Sequence, residues 1–279
     1  MKKAKVDYSA QEICRAFNLP VSSYYYQAVG LSSKDKRMIV SIKAISESVS
    51  NTYGKRRMKL DLEAEGYTIG RYKTKKLMNH AGIKVVMPRK RHYYENNKEE
   101  SKLAPNILNR RFNPEKANTY WVGDITYIRT YQGWVYLACV MDLYSKEIIG
   151  YAVEAKPSAQ LAKQALVEAI KLKQPTTKQL LFHSDQGCQY SAKKYRKYLS
   201  LCEIKQSMSR RGNCWDNSVM ERFFRSLKTE RLNKLSFKTK QEAVNEVRSY
   251  INFYNYQRRH SAIGYLTPHQ KSCRAKHVA

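Results

Sequence analysis

The sequence predicts an α/β core with a mixed sheet and flanking helices, preceded by helical segments and followed by a further helix and a basic tail. Three observations carry that expectation. Residues 120–153 are rich in Val, Ile, Tyr and Trp and are broken at Gln132-Gly133, the pattern of strands joined by a tight turn. From Pro157 onward the apolar spacing becomes that of helix, short strand and helix. Before residue 93 apolar residues recur at helical spacing among many Lys and Arg, punctuated by Gly66 and Gly82.

The elements follow in order. Ser9 and Glu12 have the spacing of a capping box, and Ile13, Ala16 and Phe17 continue as an apolar stripe. Asn18-Leu19-Pro20 ends that helix, and Ser22 is the expected cap of a second short helix through Tyr24-Tyr25-Tyr26. Helix, turn, helix is the outline of a DNA reader, an outline that any small helical hairpin shares. Ile39, Ile42, Ile45 and Val49 predict a helix over 34–49. Lys55–Glu65 and Arg71–Ala81 follow, each ended by a glycine able to take the left-handed backbone of a helix end. Residues 71–91 hold eight basic residues (Arg71, Lys73, Lys75, Lys76, Lys84, Arg89, Lys90, Arg91) and no acid. Charge runs are usually solvated faces; on the second helix of a helical hairpin this one is read as contacting DNA.

Residues 93–116 are polar, with Pro105 and Pro114 and little periodicity, and read as a linker. Strands are expected at Tyr120–Thr130, Trp134–Leu143 and Ile148–Val153, then a helix opened by Ser158 with Leu161, Ala165, Leu166, Ala169 and Ile170 on one side. A buried strand at Leu180–Phe182, a helix over Ser191–Leu201 and a helix from about Asn217 to Leu232 complete the series. A three-strand meander followed by helix, strand and helix is the order of the ribonuclease-H-like fold. Thr239 and Glu242 make a second capping box, opening a helix with Ala243, Val247, Ile251 and Tyr254 inward. The expected organisation is a helical segment 1–50, a basic helix-turn-helix-like segment 51–92, a linker 93–116, the core 117–235, and a C-terminal helix and basic tail 236–279.

The 279 residues carry 52 Lys and Arg against 23 Asp and Glu, a net charge of +29. A chain so charged repels itself and calls for a polyanionic partner, nucleic acid first. The apolar run Val135–Met141 is far short of the ~20 residues of a membrane span. The start has charge but no apolar stretch behind it, so no signal peptide is expected, and the location is read as cytoplasmic without membrane. The six cysteines form no CxxC pair, so thiols are expected and structural zinc is not. His269, Cys273 and His277 fall at four-residue steps that would share a helical face and could hold a metal, although a frayed basic tail fits them better.

Three carboxylates stand in informative places. Asp124 lies inside an apolar strand, where a charge is costly unless it is paired. Asp185 follows the strand Leu180–Phe182 at its carboxyl end, where α/β sites collect. Glu221 lies on the helix after Asn217, with 35 residues between it and Asp185. Arg225, Lys228 and Asn217 share its stripe, and Val219, Phe223 and Leu227 lie opposite. A carboxylate beside two cations suits a divalent ion next to a phosphate backbone. The bland alternatives are a capping box from Ser218 to Glu221, an Arg partner for Asp124 and a turn role for Asp185 before Gly187. Asp142 is read as structural, Asp216 as a helix-start residue, and His183 as a hydrogen-bonded neighbour of the site.

The motifs Trp121-Val122-Gly123-Asp124-Ile125-Thr126-Tyr127, His183-Ser184-Asp185-Gln186-Gly187-Cys188-Gln189-Tyr190 and Ser207–Asn217 running on to Glu221-Arg222-Phe223-Phe224 are those of a known family. With Tyr53-Gly54-Lys55-Arg56-Arg57, Tyr254–His260 and Gly264–Pro268, the chain over roughly 50–270 resembles the second-reading-frame transposase of insertion sequence family three, whose core is of the retroviral-integrase type. The resemblance implies that Asp124, Asp185 and Glu221 form an Asp-Asp-Glu triad holding two Mg²⁺ ions, with Mn²⁺ as a substitute. Two such ions activate an attacking oxygen and stabilise a leaving one. It implies cleavage that frees a 3′-OH, then attack by that hydroxyl on a second phosphodiester. The expected partners are double-stranded DNA, as terminal inverted repeats and target, a second copy or more of the chain on DNA, and an upstream reading-frame product as a fusion. Arg225, Lys228, Arg210 and Arg211 join Arg71, Lys73, Lys75, Lys76, Arg89, Lys90 and Arg91 as expected DNA contacts, and Gln189 and Asn217 are expected to orient ligands or phosphate. The competing functions are a non-catalytic DNA-binding regulator and a nuclease that only hydrolyses.

Overall fold

A computed structural model describes residues 8–26, 30–87 and 104–276. Five strands form one sheet: β1 (Tyr120–Thr130), β2 (Gly133–Asp142), β3 (Ile148–Glu154), β4 (Leu181–Ser184) and β5 (Lys205–Met208). Their spatial order is β3-β2-β1-β4-β5. The meander pairs antiparallel, β1 with β2 from Trp121↔Asp142 to Thr130↔Gly133 and β2 with β3, while β4 runs parallel to both β1 and β5. The first four strands lie where apolar runs predicted them. β5 was not expected, because Lys205-Gln206-Ser207-Met208 has no apolar run and is held as an edge strand by its ladder to β4.

Helices cover both faces. On one side α6 (Ala159–Lys173), α7 (Cys188–Ser191) and α8 (Lys193–Leu201) bury Leu161, Ala165, Leu166, Ala169, Tyr195 and Leu199 against Trp121, Val140, Ile149 and Phe182. Gly150 decides how closely α6 lies on β3, since a Cβ there would stand 2.2 Å from the Ala165 carbonyl and 2.6 Å from the Ala169 nitrogen. On the other side α9 (Ser218–Glu230) and α10 (Lys240–Tyr256) pack Phe223, Leu227, Val247, Tyr250 and Tyr254 on Val122, Leu137, Cys139 and Met141. Removing these apolar faces from water is the main driving term for the layers. Thr239 and Glu242 form the expected capping box of α10.

Ahead of the sheet, α1 (Ala10–Ala16) has the capping box of Ser9 and Glu12, with both of its bonds made. The cap expected at Ser22 is not formed. The next helix, α2 (Val21–Tyr25), starts earlier, from Pro20 at φ −62° and ψ 142°, and Ser22 lies inside it. α3 (Ser33–Ser48), α4 (Lys55–Ala64) and α5 (Arg71–His80) pack together through Met38, Ile42, Ile45, Met58, Leu62 and Leu77. This bundle is bonded to the far end of the chain: Tyr53 Oη donates to the Gln257 carbonyl at 3.2 Å and accepts from the Arg259 amide at 2.9 Å, and Arg259 pairs with Asp61.

Residues 104–116 have no helix or strand and are fastened to the core. Leu108 is buried, and the Ile107 and Leu108 amides both donate to Ser207 Oγ on β5, at 2.9 and 3.1 Å. The tail forms α11 (Pro268–Lys276), in which Cys273 Sγ lies 3.4 Å from His269 Nε2 and His269 Nδ1 faces Glu147. His277, Arg89, Lys90 and Arg91 lie outside the described residues. Among the described residues no helix is long and apolar enough to cross a membrane.

Candidate active site

Strand register builds the site. Val122 on β1 pairs with His183 on β4 in a parallel ladder, so two residues further on each strand Asp124 and Asp185 emerge side by side. α9 packs across β1 and brings Glu221 to the same end of the sheet. Gly123, next to Asp124, fits beneath the Phe182 ring, where a Cβ would stand 2.5 Å from its nearest atom.

The three acids sense one another. Burial, then the charge of Asp185, then that of Glu221, push the Asp124 carboxyl up to about 8, against the Ile125 amide and the Lys228 ammonium. Burial raises Asp185, and burial with Asp185 raises Glu221. Asp124 Oδ1 accepts from the Ile125 amide at 2.7 Å and Asp185 Oδ1 from the Gly187 amide at 3.0 Å. As they stand the carboxylates do not converge on one point, and no group of three His, Cys, Asp or Glu side chains among the described residues is spaced to hold an ion. Their chemistry nevertheless fits a hard divalent cation: oxygen donors, partly buried, whose like charges an ion would offset.

The bland alternatives fare unevenly. The capping box is absent, because Ser218 is the first residue of α9 rather than its cap and Asn217 at the cap position makes no side-chain cap bond. Lys228 is the cation whose charge reaches Asp124 and favours its ionised form. The turn bond of Asp185 to Gly187 does form, and it leaves the second carboxylate oxygen without a hydrogen bond among the described residues.

The surrounding residues divide into groups. Asn217 is bonded to β1 next to Asp124: its Nδ2 donates to the Gly123 carbonyl at 3.3 Å, and its buried Oδ1 has no hydrogen-bond partner among the described residues. Lys228 Nζ stands 4.6 Å above the centre of the Tyr127 ring, and Tyr127 meets Trp134 edge-on at 5.2 Å. Both rings are exposed, so an aromatic pair lies beside Lys228; strand alternation with Thr126 and Ile128 inward was the signal for it. Arg225 is exposed on α9. Gln189 Nε2 donates to the Pro157 carbonyl at 3.3 Å. His183 is fully buried, with Nδ1 2.8 Å from Ser207 Oγ and Nε2 3.1 Å from Ser209 Oγ, and burial pushes it down to about 4, so the ring is neutral.

Two of the expected DNA contacts, Arg210 and Lys73, already hold acids. Arg210 donates Nε and Nη2 to Asp216, and Arg110 and Asn106 donate to the same carboxylate, all at 2.8–3.0 Å. Asp216, in the first turn of the short 3₁₀ helix 214–217 before α9, is thus a buried clamp as well as a helix-start residue; burial opposes its charge, but Arg210 and Arg110 hold it well below the usual carboxylate range. Lys73 pairs with Asp35 at 2.6 Å. Arg71, Lys75 and Lys76 are exposed on α5, and Arg211 is exposed in the turn before α9.

Residues 114–214 and 202–268 match family models described as integrase core domain, and residues 33–91 match one described as HTH-like domain, which takes in α3 as well as α4 and α5. The chain is 37% identical over 264 residues to the putative transposase InsK of insertion sequence element IS150 from Escherichia coli K12, covering 94% of this chain and 92% of that one. It is 36% identical over 261 residues to the uncharacterized 31 kDa protein of insertion element IS600 from Shigella sonnei, covering 92% and 96%. InsF, the transposase of insertion sequence IS3A from Escherichia coli K12, is 31% identical over 279 residues, covering 97% and 96%. The chain belongs to the IS3 family of insertion-sequence transposases. This IS3-family transposase is thus a DNA-acting enzyme with an integrase core of the ribonuclease-H-like fold behind a helix-turn-helix-like domain. The catalytic core of HTLV-2 integrase, solved with magnesium, aligns with 56% of the chain and 97% of its own length at 18% identity and a TM-score of 0.45.

Proposed function

We propose that Asp124, Asp185 and Glu221 are the carboxylates with which this transposase cuts and rejoins DNA at the ends of its element. The observation that carries this reading is electrostatic. In a chain with 23 acids against 52 basic residues, three acids from β1, from the end of β4 and from α9 meet at one end of the sheet, each pushed toward its neutral form. A protein tolerates such an arrangement where a cation is to be received.

Asp124, Asp185 and Glu221 would hold Mg²⁺, with Mn²⁺ as its substitute, and Asn217 would steady the first of them through its bond to Gly123. Bound there, two such ions would activate the attacking oxygen and stabilise the leaving oxygen of an in-line displacement. Lys228 and Arg225 hold the phosphate backbone beside the acids, and the exposed Tyr127–Trp134 pair offers rings on which an unpaired base stacks. Water attack on the phosphorus at the element end breaks its bond to the 3′ oxygen, freeing a 3′-OH and leaving the phosphate on the flanking strand; that hydroxyl then attacks a phosphodiester at the element's other end, displaces the 3′ oxygen of the flank there and joins the two ends into a circle. Arg71, Lys75 and Lys76 on α5 grip the terminal repeats in double-stranded DNA. Two ends must be held at once, so a dimer or larger assembly forms on DNA in the cytoplasm, alone or as a fusion with an upstream reading-frame product.

The test uses a plasmid carrying the gene between its native flanking ends, with amplification across abutted ends. Wild type is expected to give circular junctions, and Glu221→Gln to reduce them at least about 10²-fold. Equal junctions from both would discard the triad. Cut ends without junctions would make the protein a nuclease, and absence of both, with the upstream frame supplied, a regulator.

A further inference from the structure

A quarter-turn around α9 from Glu221, the helix borders a second and oppositely charged feature. Ser218, Arg222 and Ser226, at four-residue steps, line a cleft of about 250 Å³ together with Arg57 of α4, Lys146 of the β2–β3 turn and Ser261 of the tail. Four parts of the chain far apart in sequence thus bring three cations and three hydroxyls to one hollow.

The positive charge there is only partly offset: Glu230 and Asp142 act on a lining that holds Arg57, Lys146, Arg222 and Arg258. Arg222 is exposed, and neither it nor Arg57 forms an ion pair among the described residues. Lys146 is buried and donates only to neutral oxygens, the Phe112 carbonyl and Asn113 Oδ1. Arg258 also borders the cleft, but its Nε and Nη2 grip the carboxylate of Glu230 at 2.7–3.2 Å, which uses up the acid closest to it. The surroundings register the excess. Burial, then Arg258, Lys146, Arg57 and Arg222, push His260 down to about 3, and burial with Arg222 pushes Lys146 down to about 8 against the pull of Asp142. Cations gathered with too little counter-charge cost free energy unless an anion joins them.

The donors specify that anion. Guanidinium groups match phosphate in fork geometry, a lysine adds a point charge, and serine hydroxyls donate to the remaining oxygens. The first turn of α9, at Ser218 and Val219, also lines the cleft and adds the partial positive charge of a helix start. The volume admits a phosphate with part of a sugar and is too small for a duplex.

We propose that this cleft is a binding site for a terminal phosphate group, distinct from the carboxylate site, with Arg222 as its main ligand and Arg57 and Lys146 beside it. It rests on the reading of the chain as a DNA-cutting enzyme, whose products have such ends, and it is independent of the triad assignment. An occupant would tie α4, the sheet, α9 and the tail together, so binding stabilises the fold.

The experiment uses the full chain in EDTA at fixed ionic strength, which leaves divalent ions out of the readout. Thermal unfolding is followed with inorganic phosphate, and affinity is measured for one short single-stranded oligonucleotide made with a 5′-phosphate and with a 5′-hydroxyl. Wild type is expected to gain stability from phosphate and to prefer the phosphorylated strand by about tenfold. Arg222→Ala, which removes an exposed side chain, should lose both effects. Ser226→Asp, which adds a carboxylate to the lining and removes no ion pair, should do the same. Glu221→Gln should keep both. A response to phosphate with no strand preference would uphold the site and make free phosphate its source. No response to either, a response that survives both cleft variants, or one lost in Glu221→Gln would overturn it. Absence of binding with junctions still lost in Glu221→Gln removes the cleft alone; binding with junctions intact in Glu221→Gln removes the triad alone.

Discussion

Two sides of one helix hold opposite unbalanced charges. Toward the end of the sheet, α9 sets Glu221 beside Asp124 and Asp185, where burial and mutual repulsion push the acids toward their neutral forms. Toward α4 and the tail it sets Arg222 beside Arg57 and Lys146, where the same forces push a lysine and a histidine toward theirs. Just before the same helix, Asp216 shows the opposite case, a buried carboxylate that accepts from Arg110, Arg210 and Asn106 and stays charged. The difference separates charge used to build the molecule from charge kept for a ligand. A structural ion is matched within the chain; a functional one is left for something outside it to match.

The largest expected effect breaks the acidic side. Asp124→Asn should lower end-joining at least about 10²-fold and, in EDTA, raise rather than lower the thermal midpoint, because the free-energy cost of protonating a buried, repelled carboxyl is gone. Junction counts and unfolding scans on the same preparation check both halves; a lowered midpoint in EDTA would make Asp124 a structural acid like Asp216. Next comes the matched charge. Asp216→Ala should destabilise the fold by about 2–4 kcal/mol, measured by urea unfolding, because one buried acceptor serves several donors. A loss below about 1 kcal/mol would place Asp216 among ordinary surface pairs.

The smallest effect sharpens the basic side. His260 titrates at about 3 in the folded chain, below its ordinary 6.5, so the unfolded chain takes up the proton first. Its contribution to stability is therefore complete above pH 6.5 and lost as the pH falls toward 3. His183, pushed down to about 4, acts in the same direction. His260→Asn keeps an acceptor for the Ala262 amide and should reduce the pH-dependent loss of stability between pH 6.5 and 4 by about one proton. An unchanged slope would mean that the cations around the cleft do not act on this ring.

How much of this the sequence disclosed depended on what each feature is made of. β1 to β4 are apolar runs and were visible as such, and the triad stood out because acids are scarce here: Asp124 interrupts an apolar strand, Asp185 follows the end of one and Glu221 lies on a polar helix stripe. β5 was hidden because Lys205-Gln206-Ser207-Met208 becomes a strand only through its bonds to β4. The fastening of Ile107 and Leu108 to Ser207 was hidden for a related reason, since it depends on amides, which every residue carries. Ser22 was misjudged because the restricted backbone of Pro20 starts the helix before a side-chain cap is needed. Among 52 basic residues nothing in the order of letters marks Arg210 and Lys73 as paired, or Arg57, Lys146 and Arg222 as neighbours. Those assignments come from the fold.

The Asp216 clamp also has a consequence for descent. One carboxylate accepts from donors on two stretches of chain about a hundred residues apart, Asn106 and Arg110 on one and Arg210 on the other. A substitution at position 216 strands all three donors together, whereas a change at any one of them leaves the rest in place. Drift in this part of the gene is therefore asymmetric: the donors can be exchanged singly over generations, while the acceptor can leave only when both stretches have already changed to do without it.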